Sequence, residues 1–209
     1  SFQYLSKLFN KSNNIDLLLK KFKINKIELN QSINSPKSIA KFSVLKPDLI
    51  ISILGNEIFK KDIISIPKKG IINLHSSLLP KYRGLMPSFW VLKNKEKNTG
   101  VSVFFVDEGV DSGPILMQRK IPIQGYSHKD LIYITKKAGM ELIILVLKKL
   151  MANEKINLIK NSDAEMTYYS FPTRSDVKNF LNEDPLGERK LRVIRKANCI
   201  VLVNLESNI

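Results

Sequence analysis

Polar and apolar positions change period several times along the chain, and each change marks an element. Residues 13–22 place apolar side chains behind Asn13 and Asn14, either of which suits an N-cap, so a helix is predicted there. Lys26–Leu29 alternates and predicts a short strand. Ser35-Pro36 opens a second helix, because proline suits the first helical position, and Pro47 stops it after about Leu45. Asp48–Leu54 is nearly all apolar, the pattern of a strand covered on both faces in a parallel sheet. Gly55-Asn56 ends that strand, and a short helical stretch runs on to Pro67 and Gly70.

Gly70–His75 reads as the next strand and Ser76–Gly84 as a loop. Pro87–Leu92 reads as a helix, Gly100–Val106 as a strand, and Asp107–Gly113 as a loop with three acids. Ile115–Ile123 alternates as a strand, and His128–Met151 is the longest helix. This rhythm predicts an α/β fold, a mainly parallel Rossmann-like sheet flanked by helices. From Ala152 the character changes. Tyr168, Tyr169 and Phe171 precede Pro172, a short helix covers Ser175–Leu181, Asp184–Gly187 signals a turn, and Lys190–Val203 carries one or two strands. The expected division is a core over residues 1–152 and a short α+β C-terminal extension over 153–209.

Composition narrows the partners. With 44% hydrophobic and 25% charged residues in 209, the chain has enough apolar sequence for a sizeable core. No apolar run reaches the ~20 residues that span a bilayer; the stretch 140–150 is broken by Glu141 and ends in Lys148 and Lys149. The net charge of +15 raises the idea of a polyanionic partner. However, 28 of the 34 basic residues are lysines spread along the chain, whereas phosphate readers favour arginine. Compositional bias is the preferred reading, and a nucleic-acid partner is disfavoured. The single cysteine, Cys199, closes no intramolecular disulfide, and with two histidines no Cys/His zinc set is expected. The opening residues lack a secretory pattern, so a reducing cytoplasmic setting is the default.

Candidate chemistry sits at two strand ends, where ligands bind in open α/β sheets. Asn73 and His75 are two apart and share one face of a strand. The Asp107–Asp111 loop follows the apolar strand 101–106. An amide can stabilise an oxyanion, an imidazole can take a proton near neutral pH, and a carboxylate can orient that imidazole. His128 stands near a helix start and reads as a solvated or capping residue. No Gly-x-Gly-x-x-Gly, P-loop or Gly-x-Ser-x-Gly pattern is present, which weakens dinucleotide, nucleotide and serine-hydrolase readings.

The segment Gly70-Ile-Ile-Asn-Leu-His-Ser-Ser-Leu-Leu-Pro-Lys-Tyr-Arg-Gly84 resembles the signature of formyltransferases that use N10-formyltetrahydrofolate. Asp107-Glu-Gly-Val-Asp-Ser-Gly113 resembles that family's Asp-x-Gly-x-Asp-x-Gly element, and Pro47–Ile50 and Thr99–Val103 resemble its flanking strands. The resemblance covers roughly residues 35–123 and, more faintly, the tail to Phe180. It implies formyl transfer from the folate to a primary amine, without metal. Asn73 would stabilise the oxyanion, His75 would move the proton, and Asp111 would hold His75. It implies a folate pocket between Leu54, Gly55 and Asn56 on one side and Asp107, Gly109 and Val110 on the other. Ser76, Lys81, Tyr82 and Arg83 are expected to face the acceptor.

Departures from the family set the finer expectations. The chain lacks the family's first strand, which suggests an N-terminally incomplete core. After Phe171 only 38 residues follow, too few for the ~100-residue barrel that resembles a small domain in methionyl-tRNA formyltransferases. Tyr168–Thr173 resembles the stretch that follows the core in stand-alone sugar-amine formyltransferases. The favoured acceptor is therefore an amino sugar, nucleotide-linked or otherwise phosphorylated. The alternatives are methionyl-tRNA, glycinamide ribonucleotide, hydrolysis of the formyl-folate at the same site, and a non-catalytic basic nucleic-acid-binding module. A small-molecule amine is the expected partner, and a homodimer stays open.

Overall fold

A computed structural model of the chain describes residues 15–53, 55, 57–183 and 199–203. It divides into two compact units, residues 1–32 and 33–209. In the first, helix α1 spans Ile15–Lys21. The expected caps Asn13 and Asn14 lie outside the described residues. Lys26–Leu29 forms no strand, and Lys26 is instead ion-paired with Glu28 at 3.1 Å. Four alternating residues carry the pattern of a strand, but a strand also needs a neighbour to pair with.

The second unit is built on a five-stranded sheet. Helix α2 (Pro36–Leu45) starts as its sequence dictates: Ser35 Oγ accepts the Ser38 N–H at 3.2 Å, and Pro36 occupies the first turn. Strand β1 (Leu49–Ile53) follows, then helix α3 (Lys61–Ile64), strand β2 (Ile71–His75) and a two-residue strand β3 (Arg83–Gly84). Helix α4 (Pro87–Lys93), strands β4 (Asn98–Phe105) and β5 (Ile115–Pro122), and the long helix α5 (His128–Met151) complete the core. Beyond it stand β6 (Tyr168–Tyr169), helix α6 (Arg174–Glu183) and β7 (Cys199–Val203). The expected turn at Asp184–Gly187 lies outside the described residues, as does the stretch before β7.

The sheet order is β5-β4-β2-β1-β7. The α/β class and the flanking helices agree with the sequence reading; the mainly parallel sheet does not. Among the described strands, β1 pairs with β2 in parallel, while β1–β7, β2–β4 and β4–β5 are antiparallel. The reason is physical. Residues 99–104 of β4 are all buried, and a strand covered on both faces has the same apolar run in either direction. Helix α5 covers one face, where Ala138, Leu142, Ile143 and Val146 close a core with Leu49, Ile51, Ile72, Val101 and Val103. No helix among the described residues is long and apolar enough to cross a membrane.

A second, smaller core joins the extension to the loop after β2. Strand β6 pairs with β3 in parallel, and Tyr169 stacks between Tyr82 and Trp90, with ring centroids 5.2 and 4.7 Å away. Phe89 meets Trp90 edge-on and packs on Phe180 of α6 at 5.0 Å. His128 is not a solvated cap. It is half-buried, with its ring 6.3 Å from Phe89, and burial pushes its pKa below the ordinary 6.5. The unfolded chain then takes up the proton first as pH falls, so stability is lost progressively below about pH 6.5. The variant His128→Gln is expected to lose less Tm than the wild type between pH 7 and 5. Equal losses would remove His128 from the acid sensitivity.

Candidate active site

Strand register lays out the floor of the site. Ser52 of β1 pairs with Asn73 of β2, and Asn73 pairs with Phe104 of β4. Side chains in register share a face, so the three stand in one row near the carboxyl ends of β1 and β2. Asn73 Oδ1 accepts the Leu74 N–H at 2.8 Å. That bond orients the amide and leaves its Nδ2 hydrogens without a partner among the described residues. Ser52 is fully buried, and its hydroxyl has no hydrogen-bond partner among the described residues.

His75 ends β2 and is 7% exposed. Its Nε2 lies 2.7 Å from the Tyr82 carbonyl. A carbonyl only accepts, so Nε2 carries the hydrogen. Nδ1 then faces Asp111 Oδ2 at 3.5 Å and is the nitrogen left to exchange a proton. Cross-strand chemistry holds the carbonyl in place. Ser102 Oγ donates to the Ser77 carbonyl and accepts from the Leu79 N–H and from Gln118 Nε2. Ser77 Oγ donates to the Lys81 carbonyl at 2.8 Å. The Tyr82 carbonyl therefore fixes Nε2, and Asp111, to which the sequence reading gave the task of holding His75, faces Nδ1.

The acidic loop is shaped by its own side chains. Asp107 Oδ1 accepts from the Gly109 N–H and the Ser112 hydroxyl, at 3.1 and 2.6 Å, so Asp107 braces the turn. Asp111 has φ 49°, and its Oδ2 accepts the Gly84 N–H at 2.8 Å. Gly113 sits so close to the Phe105 carbonyl that a Cβ would overlap it. Gly113→Ala is expected to cost about 1–3 kcal/mol, the usual range for overpacking, measured as a fall in thermal stability. An unchanged Tm would mean that the loop gives way freely.

These parts line one cavity of about 360 Å³. Asn73, His75, Ser76, Gly55, Gly109, Val110 and Asp111 all border it, so both expected strand ends meet there. Leu54 and Asn56 lie outside the described residues. Asp107 is not in the lining, and neither are Lys81, Tyr82 and Arg83. Of the three residues expected to face an acceptor, packing turns Tyr82 and Arg83 inward. Lys81 is exposed. Arg83 is 4% exposed and bonded to Asp163 and Asn161. Tyr82 donates its hydroxyl to Glu96 at 2.7 Å. Burial, with the Glu96 carboxylate beside it, pushes the Tyr82 phenol up to about 12 against a bond from Asn94, so it stays protonated at neutral pH. Among the described residues no lysine or arginine borders the cavity, and the charged ones that do are Glu57 and Asp111.

The sequence reading missed Ile58, Phe59, Met86 and Tyr168 in the lining. Only Tyr168 had a signal, since it stands among aromatics before Pro172. Asn34 fixes the Ile58–Lys60 turn, donating to the Ile58 carbonyl and accepting the Lys60 N–H, both at 2.8 Å. No short-range pattern links those residues. Among the described residues no three His, Cys, Asp or Glu side chains cluster as metal ligands.

Known proteins resemble this chain in sequence and fold. The family described as formyl transferase matches residues 10–147. The methionyl-tRNA formyltransferase of Kosmotoga olearia is 38% identical over 168 residues, which are 79% of this chain and 52% of that protein. The chain spans about half the length of the curated relatives it matches first. Among solved structures, the sugar 3N-formyl transferase WlaRD, determined with dTDP and 5-N-formyl-THF, is 26% identical with a TM-score of 0.53, covering 60% of this chain and 44% of that one. The N-formyltransferase from Helicobacter canadensis, in complex with folinic acid and dTDP-3-aminofucose, is 28% identical with a TM-score of 0.51, covering 58% and 43%. The family match takes in both strand ends that build the cavity, and the chain belongs to the formyl transferase family.

Proposed function

We propose that this protein transfers a formyl group from N10-formyltetrahydrofolate to the primary amine of an amino sugar carried on a nucleotide. The observation that carries the reading is the convergence of Asn73, His75 and Asp111 on one cavity. The residues present fit a folate donor. Ile58, Phe59, Phe104, Val106 and Val110 offer apolar walls to a flat ring, and the Asn73 Nδ2 hydrogens and the Ser52 hydroxyl are polar groups without partners among the described residues. When bound, the donor supplies an activated formyl group on nitrogen.

The chain's own residues then divide the work. Asn73 Nδ2 donates to the formyl oxygen as negative charge builds there. His75 Nδ1 takes the proton that the attacking amine loses and returns it to the departing folate nitrogen. Asp111 stabilises the imidazolium between these two transfers. The Tyr82 carbonyl keeps Nε2–H in place throughout, so the imidazole turns over a single nitrogen. In this reading residues up to 152 are the catalytic core, and 153–209 an extension that brings Tyr168 to the rim.

The acceptor end favours a neutral sugar ring. The described lining residues carry no lysine or arginine, and Tyr168, 53% exposed at the rim, offers an aromatic face. The similarity to sugar N-formyltransferases supports this choice. The 38% identity to a methionyl-tRNA formyltransferase supports a second reading with tRNA as acceptor. The deciding experiment offers formyl-folate with dTDP-3-aminofucose, other nucleotide-linked amino sugars, initiator methionyl-tRNA or glycinamide ribonucleotide, and follows gain of one formyl group by mass. Formylation of a sugar is expected. Formylation of the tRNA alone would overturn the acceptor, and loss of the formyl group to water alone would overturn the transferase.

A further inference from the structure

We infer that Asn161, clamped by Arg83, is a positioning residue that sets the carboxylate of Asp111 against His75. The inference rests on the role given to Asp111 above. Asn161 lies in the segment after α5, which is tied to β5 by a two-way backbone pairing of Ile159 with Ile115, at 2.8 and 3.0 Å. Its Nδ2 donates to the Asp111 carbonyl at 2.8 Å and to the Gly113 carbonyl at 2.9 Å. Both amide hydrogens are thus used on the acidic loop. Its Oδ1 and its own carbonyl accept from Arg83 Nη2, at 2.9 and 3.2 Å. Arg83 Nη1 is bonded to Asp163 at 2.7 Å.

These bonds close a ring around Asp111. Arg83 reaches the Asp111 backbone through Asn161, and the next residue, Gly84, donates its N–H to the Asp111 carboxylate. Asp111 itself has φ 49°, a left-handed conformation that a residue with a Cβ keeps only where its surroundings hold it. Asn161 is bonded to the peptide on the far side of that dihedral. The imidazole has a separate anchor, the Tyr82 carbonyl, held by Ser77 and the Ser102 cluster. The 3.5 Å between His75 Nδ1 and Asp111 Oδ2 is therefore set by two different anchors, one on the Tyr82 carbonyl and one on Gly84 and Asn161. Asn161 controls one side of it from behind Asp111 and is not itself a lining residue of the cavity.

The test uses the two histidines as reporters. In ¹⁵N-histidine-labelled protein the His75 and His128 imidazoles give separate signals, and His128 stands at the start of α5 as an internal control. Asn161→Ala is expected to move the His75 Nδ1 resonance in the same direction as Asp111→Asn and to leave His128 in place. With dTDP-3-aminofucose and formyl-folate as probes, Asn161→Ala is expected to lower kcat about tenfold, with the donor KM within about twofold. In an Asp111→Asn background it is expected to add less than about twofold, because the two residues act as one unit. Asn161→Ser, which keeps one donor, runs the same cycle if the alanine variant fails to fold. A His75 signal that moves in Asp111→Asn but not in the Asn161 variants would overturn the inference alone. A signal that moves in neither would overturn the His75–Asp111 pairing as well.

Discussion

Asn73→Ala is expected to lower turnover by about 10²–10³-fold, the loss of about 2.7–4 kcal/mol that follows removal of one oxyanion donor. The size follows from its surroundings. The Oδ1 end is held by the Leu74 N–H, so Nδ2 is aimed before the substrate arrives and costs no reorganisation. Dissociation of the folate is expected to change little, because the bond strengthens only as charge develops on the formyl oxygen. Single-turnover rates and donor dissociation constants separate the two effects. A variant that binds the donor poorly but turns over normally would make Asn73 a pocket residue rather than an oxyanion donor.

His75→Ala is expected to cost about 10²–10⁴-fold in kcat, the usual contribution of a positioned general acid–base group. One imidazole moves the proton in both directions, and the geometry confines that traffic to Nδ1, since Nε2–H stays on the Tyr82 carbonyl. Lys81→Ala is the control. That side chain is exposed, lies outside the cavity lining, and is expected to leave the rate within about twofold. Near-wild-type turnover in His75→Ala would remove the proton-transfer mechanism. A rate collapse in Lys81→Ala would return the basic loop to the acceptor.

Much of the site was legible because it depends on short-range rules. Asn73 and His75 share a face because a strand repeats every two residues, a fact already present in Asn-Leu-His. The acidic loop was legible because Asp107, Gly109 and Gly113 satisfy local demands: an Asx-type turn and a close backbone approach. The helix start at Ser35-Pro36 follows the same logic, since the cap bonds an amide three residues on.

Other features were decided only by long-range packing. Tyr82 and Arg83 read as loop residues facing the acceptor, yet Tyr169 and Asn161, arriving from about 80 residues away, turn both side chains inward. The antiparallel neighbours of β1 and β2 left no trace, because an apolar run carries no direction. Asn161 is one polar residue in a polar stretch, and nothing nearby marks it as the partner of Asp111. Local periodicity and turn chemistry act within a few residues and so are written into the chain. Which distant groups come to satisfy one another's hydrogen bonds is settled only when the sheet brings β3, the acidic loop and the segment after α5 together.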